Sequence, residues 1–267
     1  MRIATWNVNS IKVRLEAVRD WLAAGKADVL CLQEIKCETG QFPAKEFEDL
    51  GYHCAVVGQR TYNGVALLSR FGLEDVSEGL PGDPGDEQAR FVEATVQGVR
   101  IGCLYLPNGN PADDPAKYEY KLAWMRRLEE HAGELMRRGD PFVLAGDYNV
   151  IPMPEDCWDI AEWRDDALYL LRTRQAFRRL VNLGLTDAFR AVHPDQQSAY
   201  SFWDYQKGRW HRGEGIRIDH LLLSPLAADR LIDAGIDKEP RGLPKSSDHT
   251  PVWIDLADAP PRPLLSA

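Results

Sequence analysis

An α/β fold, with mixed sheets and helices outside them, is what this sequence predicts. Three observations carry the expectation. Short continuous apolar runs, Val29-Leu30-Cys31-Leu32, Val65-Ala66-Leu67-Leu68 and Phe142-Val143-Leu144-Ala145, read as buried strands. Segments with near-helical apolar spacing, about 11–22, 116–138 and 174–183, stand between strands. Gly98 turns the run 91–96 into the run 100–106, so hairpins accompany the helical crossovers.

Taken in order, residues 2–6 form a first strand. Ile11, Leu15, Val18 and Leu22 then mark one helical face, closed by Gly25. The strand 29–32 delivers Gln33 and Glu34 at its end. The strand 65–68 and the hairpin 91–106 follow. The long helix 116–138 stops at Gly139 and Pro141, and the strand 142–145 runs into Gly146-Asp147. In the helix 174–183, Phe177, Leu180 and Val181 share a side, with Gly184 after it. Residues 216–223 and 251–256 are the last strands. Pro81-Gly82-Asp83-Pro84-Gly85-Asp86 is a surface loop by composition. No linker separates these elements, so residues 1–257 are expected to make one domain, and 258–267 a short Pro-rich tail.

The chain has 267 residues, 44% hydrophobic and 27% charged, which suits a globular protein with a sizeable core. Its five cysteines, Cys31, Cys37, Cys54, Cys103 and Cys157, are odd in number and show no C-x-x-C spacing. A reducing compartment fits better than a disulfide scaffold or a zinc site. The first residues enter a strand at once, and Asn7 and Asn9 interrupt any apolar run, unlike a signal peptide. No segment approaches membrane-spanning length. The expectation is a cytoplasmic protein. A net charge of −9 argues against whole-surface attraction to nucleic acid. Arg209, His211, Arg212 and Arg217 cluster around Trp210, and Arg241 and Lys245 precede Asp248-His249. Those residues read either as a local basic track or as a solvated loop.

Polar residues with chemical potential fall at strand ends. Glu34, with Asn9 and Asp248 as helpers, offers the few hard oxygens that Mg²⁺ wants. A strand-end charge facing water is the alternative. Asp147 and Asn149 flank Tyr148 after Gly146, a glycine that would let the backbone approach a ligand. On extended backbone both side chains face one way, so the acid could orient water while the amide holds a phosphate oxygen. An Asx-turn is the alternative. Asp219 and His249 could form an acid–imidazole dyad in which the imidazolium binds a phosphate oxygen. Asn7, Tyr105, Asn149, His249 and one metal ion would give the positioning and charge neutralisation that phosphodiester cleavage requires. The joint set reads as a metal-dependent phosphodiesterase.

These segments resemble the exonuclease III family of apurinic/apyrimidinic endonucleases, within the endonuclease/exonuclease/phosphatase superfamily. The resemblance runs over nearly the whole chain: Trp6–Ser10, Leu32–Lys36, Tyr62–Ser69, Tyr105–Gly109, Gly146–Asn149, Thr186–Arg190, Ser201–Tyr205, Arg217–Ser224 and Ser247–Val252. The Gly-Asp-x-Asn and Ser-Asp-His segments point to the superfamily. Leu32–Lys36, Tyr105–Gly109, Ser201–Tyr205 and Arg217–Ser224 point to the DNA-repair branch. The resemblance implies a four-layer α/β sandwich, two mixed β-sheets packed face to face with helices outside. It implies that Glu34 carries Mg²⁺ (Mn²⁺ substituting), supported by Asn9 and Asp248. Asn7, Tyr105, Asn149 and His249 would contact the target phosphate, Asp147 would position water, and Asp219 would pair with His249. Phe202, Trp203 and Ile218 would line a pocket for a base-less sugar, whose flipping costs little because its base is already lost. Lys36, Arg60, Arg209, Arg212, Arg217 and Lys245 are the candidate contacts to the DNA backbone. The implied substrate is double-stranded DNA with abasic or 3′-blocked sites, cut 5′ to the abasic site, with 3′→5′ exonuclease or 3′-phosphatase activity, by a monomer away from any membrane. The rival readings are a superfamily phosphatase acting on a non-nucleic-acid phosphoester and a catalytically inactive DNA-binding module. Departures from the family pattern include Ile216, where some relatives have Trp, and His220 beside Asp219. None removes a catalytic group.

Overall fold

A computed structural model describes residues 1–258; the rest of the expected Pro-rich tail, 259–267, lies outside the described residues. Twelve strands are described: β1 (Arg2–Asn7), β2 (Val29–Gln33), β3 (His53–Val57), β4 (Val65–Ser69), β5 (Glu74–Glu78), β6 (Phe91–Val96), β7 (Val99–Tyr105), β8 (Phe142–Asp147), β9 (Thr186–Asp187), β10 (Asp219–Leu223), β11 (Leu231–Ile236) and β12 (Val252–Leu256). The helices are α1 (Ile11–Ala23), α2 (Ala44–Glu48), α3 (Pro115–Arg138), α4 (Leu171–Asn182), α5 (Ala188–Val192), α6 (Arg209–Arg212) and α7 (Pro225–Ala228).

The strands form two six-stranded sheets, ordered β11-β12-β1-β2-β4-β3 and β5-β6-β7-β8-β10-β9. Each sheet has one parallel pair, β1 with β2 and β7 with β8, among antiparallel neighbours. The sheets pack face to face. Ile3, Cys31 and Leu67 of the first meet Val92, Cys103, Val143 and Leu221 of the second in one core. The alternate residues face outward, since side chains in a strand alternate sides. Ala4, Leu30 and Leu32 pack with Val18 and Leu22 of α1 and Phe47 of α2. Leu104, Leu144 and Leu222 pack with Leu128 and Leu135 of α3 and Phe177 and Leu180 of α4. Two-sided burial explains why the central strands read as unbroken apolar runs. The result is the expected four-layer α/β sandwich.

Local chemistry sets the element ends. Asp114 caps α3 by accepting from the Ala116 N–H at 3.1 Å, and Pro115 opens its first turn. Gly139 ends it at φ 73°. The strand expected over 216–223 is shorter: β10 begins at Asp219, and Ile216 makes only isolated bridges to Cys157 and Phe202. The edge strands β3, β5 and β11 were not anticipated. Their patterns are mostly polar or half-buried, and β5 lacks an apolar face. All five cysteines are free, and Cys31 and Cys103 lie in the inter-sheet core. Among the described residues no helix is long and apolar enough to cross a membrane.

Candidate active site

The sheet register builds the site. Tyr105 at the end of β7 pairs with Asp147 at the end of β8, and Asp147 pairs with Asp219 at the start of β10. Directly paired residues share a face, so the three side chains form one row across the second sheet. In the first sheet Asn7 pairs with Gln33, which leaves Glu34 just beyond the end of β2. Buried Asn7 then joins the two sheets: its Nδ2 donates to Glu34 Oε1 at 2.9 Å and to Asp147 Oδ2 at 2.9 Å. The loop before β12 adds Asp248 and His249. It is held by Ser247 Oγ, which donates to Asn7 O at 2.7 Å, and by Trp6 Nε1, which donates to His249 O at 3.3 Å.

His249 and Asp219 form the dyad, with Nδ1 to Oδ2 at 2.8 Å. Ser201 orients the acid: its Oγ donates to Asp219 Oδ2 at 2.6 Å and accepts the Ile218 and Asp219 N–H groups. Nε2 of His249 faces Asp147 Oδ2 at 3.7 Å. Burial alone would pull the imidazole pKa down, but the carboxylates of Asp219 and Asp147 and the Asp219 hydrogen bond hold it up, at about 10. His249 is therefore an imidazolium at neutral pH. Burial pushes Asp147 up to about 7; His249 opposes the shift, and Asp219 adds to it. Burial also takes the Tyr105 hydroxyl well above its ordinary range, reinforced by Glu34 and Asp147.

The oxygen donors suit a hard cation. Burial works to raise Glu34, yet the Asn7 hydrogen bond and the Lys36 charge leave its pKa below the ordinary value. Glu34 Oε2 lies 2.9 Å from Lys36 Nζ, and that ammonium also donates to Asn9 Oδ1. Two oxygens thus converge on one positive charge, a stand-in for a metal ion. Asp248 Oδ1 is adjacent, accepting from Asn9 Nδ2 at 3.1 Å. Oxygen atoms of this kind are what Mg²⁺ requires. Asp147, Asp219 and His249 also gather ligand-type atoms within 4.8 Å. An imidazolium has no lone pair to give, so the dyad geometry favours the Glu34 side for metal.

Backbone strain concentrates here. Asn9, Glu34, Lys36 and Asn149 all have positive φ, at 44°, 50°, 51° and 49°. Non-glycine residues adopt such angles where the surroundings dictate them. Contrary to the expectation of extended backbone from Asp147 to Asn149, Asn149 turns out of the strand. Its N–H donates to Asp147 Oδ1 at 2.9 Å, an Asx-turn. Its Nδ2 donates to Leu106 O at 2.9 Å, and its Oδ1 accepts from Asn108 Nδ2 at 3.1 Å. Gly146 is required by its own sheet, since a Cβ there would lie 1.9 Å from Leu104 O.

A cleft of about 330 Å³ opens above this floor. Glu34, Tyr105, Asp147, Asn149, Asp248 and His249 line it, with Phe202 and Ile218 as apolar wall. The Phe202 and His249 rings are 4.9 Å apart. Trp203 does not belong to the wall. It is 2% exposed and packs against Trp210 and Tyr200. Trp163, Leu168 and Asn108 line the cleft instead. Asn108 and Ser201 lay in motifs legible in the sequence, whereas Trp163 and Leu168 come from an irregular stretch with no motif.

The basic candidates divide. Arg217 is 1% exposed and clamped by Asp156 and Asp187, with Nε to Asp156 Oδ1 at 2.7 Å and Nη2 to Asp187 Oδ2 at 2.8 Å. Its Nη1 also donates to His220 Nδ1 at 3.0 Å. Arg209 is buried and paired with Glu162 and Glu214. Arg217 has no donor left for DNA, and Arg209 is buried against two carboxylates. Lys36 is spent on Glu34 and Asn9. Arg60 and Lys245 are exposed, and Arg212 is exposed but paired with Glu214.

The comparisons with known proteins agree with this geometry. A family model described as the endonuclease/exonuclease/phosphatase family matches residues 4–249. Exodeoxyribonuclease III of Haemophilus influenzae is 30% identical over 267 residues, covering 96% of this chain and 100% of that protein. Among solved structures, a 3′ phosphatase from Neisseria bound to a product DNA hairpin is 43% identical with a TM-score of 0.93, covering 96% of this chain and 99% of that one. An AP endonuclease from Archaeoglobus fulgidus is 38% identical with a TM-score of 0.91, at the same coverage. With a match that spans the two sheets and every strand end that builds the cleft, the chain belongs to the endonuclease/exonuclease/phosphatase family, in its exonuclease III branch.

Proposed function

We propose that this protein is a metal-dependent DNA-repair phosphodiesterase. It cleaves 5′ to abasic sites in duplex DNA and trims or dephosphorylates 3′ ends. The observation that carries the reading is the row Tyr105–Asp147–Asp219, with His249 at its end and Asn7 bridging to Glu34, on the floor of an open cleft.

Each group has a role that its surroundings support. The imidazolium of His249, oriented by Asp219, donates to a non-bridging phosphate oxygen. Asn149 lines the same space, while Asn7, buried beneath it, gives its amide hydrogens to Glu34 and Asp147 and so holds those two carboxylates in place. Asp147, with its pKa raised to about 7, accepts a proton from an attacking water or orients it. Tyr105 stays protonated and donates. Glu34, with Asn9 and Asp248, would hold Mg²⁺ or Mn²⁺, which when bound neutralises phosphate charge. Phe202 and Ile218 present an apolar wall to a base-less sugar turned into the cleft. Arg60 and Lys245 remain free to meet backbone phosphates despite the acidic whole.

The test is a duplex carrying one abasic-site analogue, incubated with Mg²⁺ and with chelator. A cut 5′ to the lesion that leaves a 3′-hydroxyl, and only with metal, is the expected result. Parallel substrates would be a 3′-phosphorylated duplex and a soluble inositol phosphate. Release of phosphate from the inositide alone would overturn the reading. The 43% identity to a 3′ phosphatase gives the 3′-phosphorylated arm particular weight.

A further inference from the structure

The mechanism above leaves several buried ionisable groups unused, among them His131, Asp156, Arg217 and Lys121. Lys121, on the buried face of α3, has no exposed surface. Among the described residues it has no ion-pair partner within salt-bridge distance. Its Nζ instead donates to two main-chain carbonyls, Asn149 O at 2.6 Å and Asn108 O at 3.0 Å. Its neighbours on that face, Tyr118, Leu122, Trp124 and Met125, belong to an apolar core. Burying an ammonium there is costly, and a methionine of similar volume would pack without that cost. Burial pushes the Lys121 pKa down to about 7, opposed by Asp166 and Asp147. Asp166 and Asp147 hold part of the charge there, and Nζ keeps hydrogens to donate with or without its last proton.

Its two acceptors show what the cation does. Asn108 lies on the loop after β7 and Asn149 on the loop after β8. The two strands run parallel, so their loops leave the sheet side by side. One ammonium bonds a carbonyl in each. The side chains repeat the link on the cleft side, where Asn108 Nδ2 donates to Asn149 Oδ1 at 3.1 Å. Asn149 sits at φ 49°, a conformation that asparagine tolerates better than most residues and that its own hydrogen bonds to Asp147 and Leu106 fix here. Gly109 makes room for the lysine stem: a Cβ there would come within 2.6 Å of Lys121 Cδ.

We propose that Lys121 is a positioning residue for the reaction: its ammonium clamps the Asn108 and Asn149 loops from beneath and fixes the Asn149 amide in the cleft. The inference rests on the proposed phosphodiesterase reading for its kinetic consequence, but not for its structural one. Lys121 touches no substrate and acts only through the two loops.

The experiment is a cycle of Lys121→Met in the wild-type and Asn149→Ala backgrounds, measured as kcat and KM for abasic incision. Misplacing a reacting contact by about 1 Å costs roughly 100-fold. The expected result is a kcat loss of about that size in the wild-type background, with KM held within about twofold. With the Asn149 amide removed, the same substitution should cost less than about threefold, because nothing is left to position. Lys121→Arg, which keeps charge and donors, should recover part of the rate. Equal losses in both backgrounds, or a loss confined to KM, would overturn the proposal. Where Lys121→Met does not fold, Lys121→Gln takes its place. A second readout needs no activity: hydrogen exchange at the Asn149 amide should quicken at least about tenfold in the variant, relative to amides within β8. If wild type cleaves no DNA but this exchange effect holds, the functional reading fails and the clamp stands. If wild type cleaves and Asn149 exchange does not change, the clamp fails.

Discussion

His249 Nε2 lies 3.7 Å from Asp147 Oδ2 across the floor of the cleft, while its Nδ1 is committed to Asp219. One proton-rich and one proton-accepting group thus face each other, with space for phosphate and water above them. Burial and neighbouring charge move their pKa values to about 10 for His249 and about 7 for Asp147.

The pH profile should follow from those shifts. His249 is raised, so its imidazolium is lost only as pH climbs through about 10. Asp147 is also raised, so its carboxylate is lost as pH falls through about 7. A rate that needs both forms is bell-shaped. A bound divalent cation adds positive charge and moves the acid limb below 7. Asp219→Asn removes the charge that holds the imidazole proton, so the alkaline limb of kcat/KM should move to lower pH. An unmoved alkaline limb would count against the dyad.

Asp219 and His249 should behave as one unit. Asp219→Asn and His249→Asn are each expected to lower kcat by about 10²- to 10⁴-fold. The double variant should lose no more than a few-fold beyond the worse single change. Multiplicative losses would mean that the two act independently.

Glu34→Gln should leave the fold intact and raise the Mg²⁺ concentration for half-maximal rate by about 10- to 100-fold. The measurement is cleavage rate against free Mg²⁺. Undiminished cleavage by wild type in excess chelator would sink the metal assignment.

Two basic residues should separate cleanly. Arg217→Met leaves Asp187 without its cation and Asp156 with Arg190 alone, a loss of about 3–5 kcal/mol in unfolding free energy. It should not change the salt dependence of DNA binding. Lys245→Ala should do the reverse, lowering the slope of log affinity against log salt by about one with stability little changed. Denaturant melts and binding titrations at several salt concentrations decide both.

The adjacent aromatics should part as well. Phe202→Ala opens the cleft wall and should alter abasic incision more than 3′-phosphate release. Trp203→Ala leaves a hole in a packed cluster and should cost about 3–5 kcal/mol of stability with little change in that ratio. Equal rate effects from Phe202→Ala on both substrates would show that the wall does not select.

Much of the candidate site was legible because its residues sit in short motifs at the ends of apolar strands. Glu34, Asp147, Asn149, Asp219, Asp248 and His249 could all be picked out as polar groups that terminate buried runs. Where residues had been grouped by sequence neighbourhood alone, the structure separated them. Arg209, Arg212 and Arg217 look alike in the chain, yet Arg217 is a buried clamp and Arg212 a surface charge. Phe202 and Trp203 are adjacent, yet face opposite ways because successive residues in extended backbone alternate sides.

By itself the sequence determined the layered α/β fold, since two-sided burial writes continuous apolar runs too short for buried helices, set between amphipathic helical segments. It also determined the chemical types available at their ends. Only the tertiary structure decided which of those types meet. Register placed Tyr105, Asp147 and Asp219 in one row. Packing of the two sheets brought Asn7 to Asp147. The carboxylates of Asp219 and Asp147, closed in around it against the effect of burial, made His249 a retained cation, and packing put Lys121 beneath the asparagines. Contacts between residues far apart in the chain, and the loss of water around them, leave no local pattern, so they could be known only once the fold had closed.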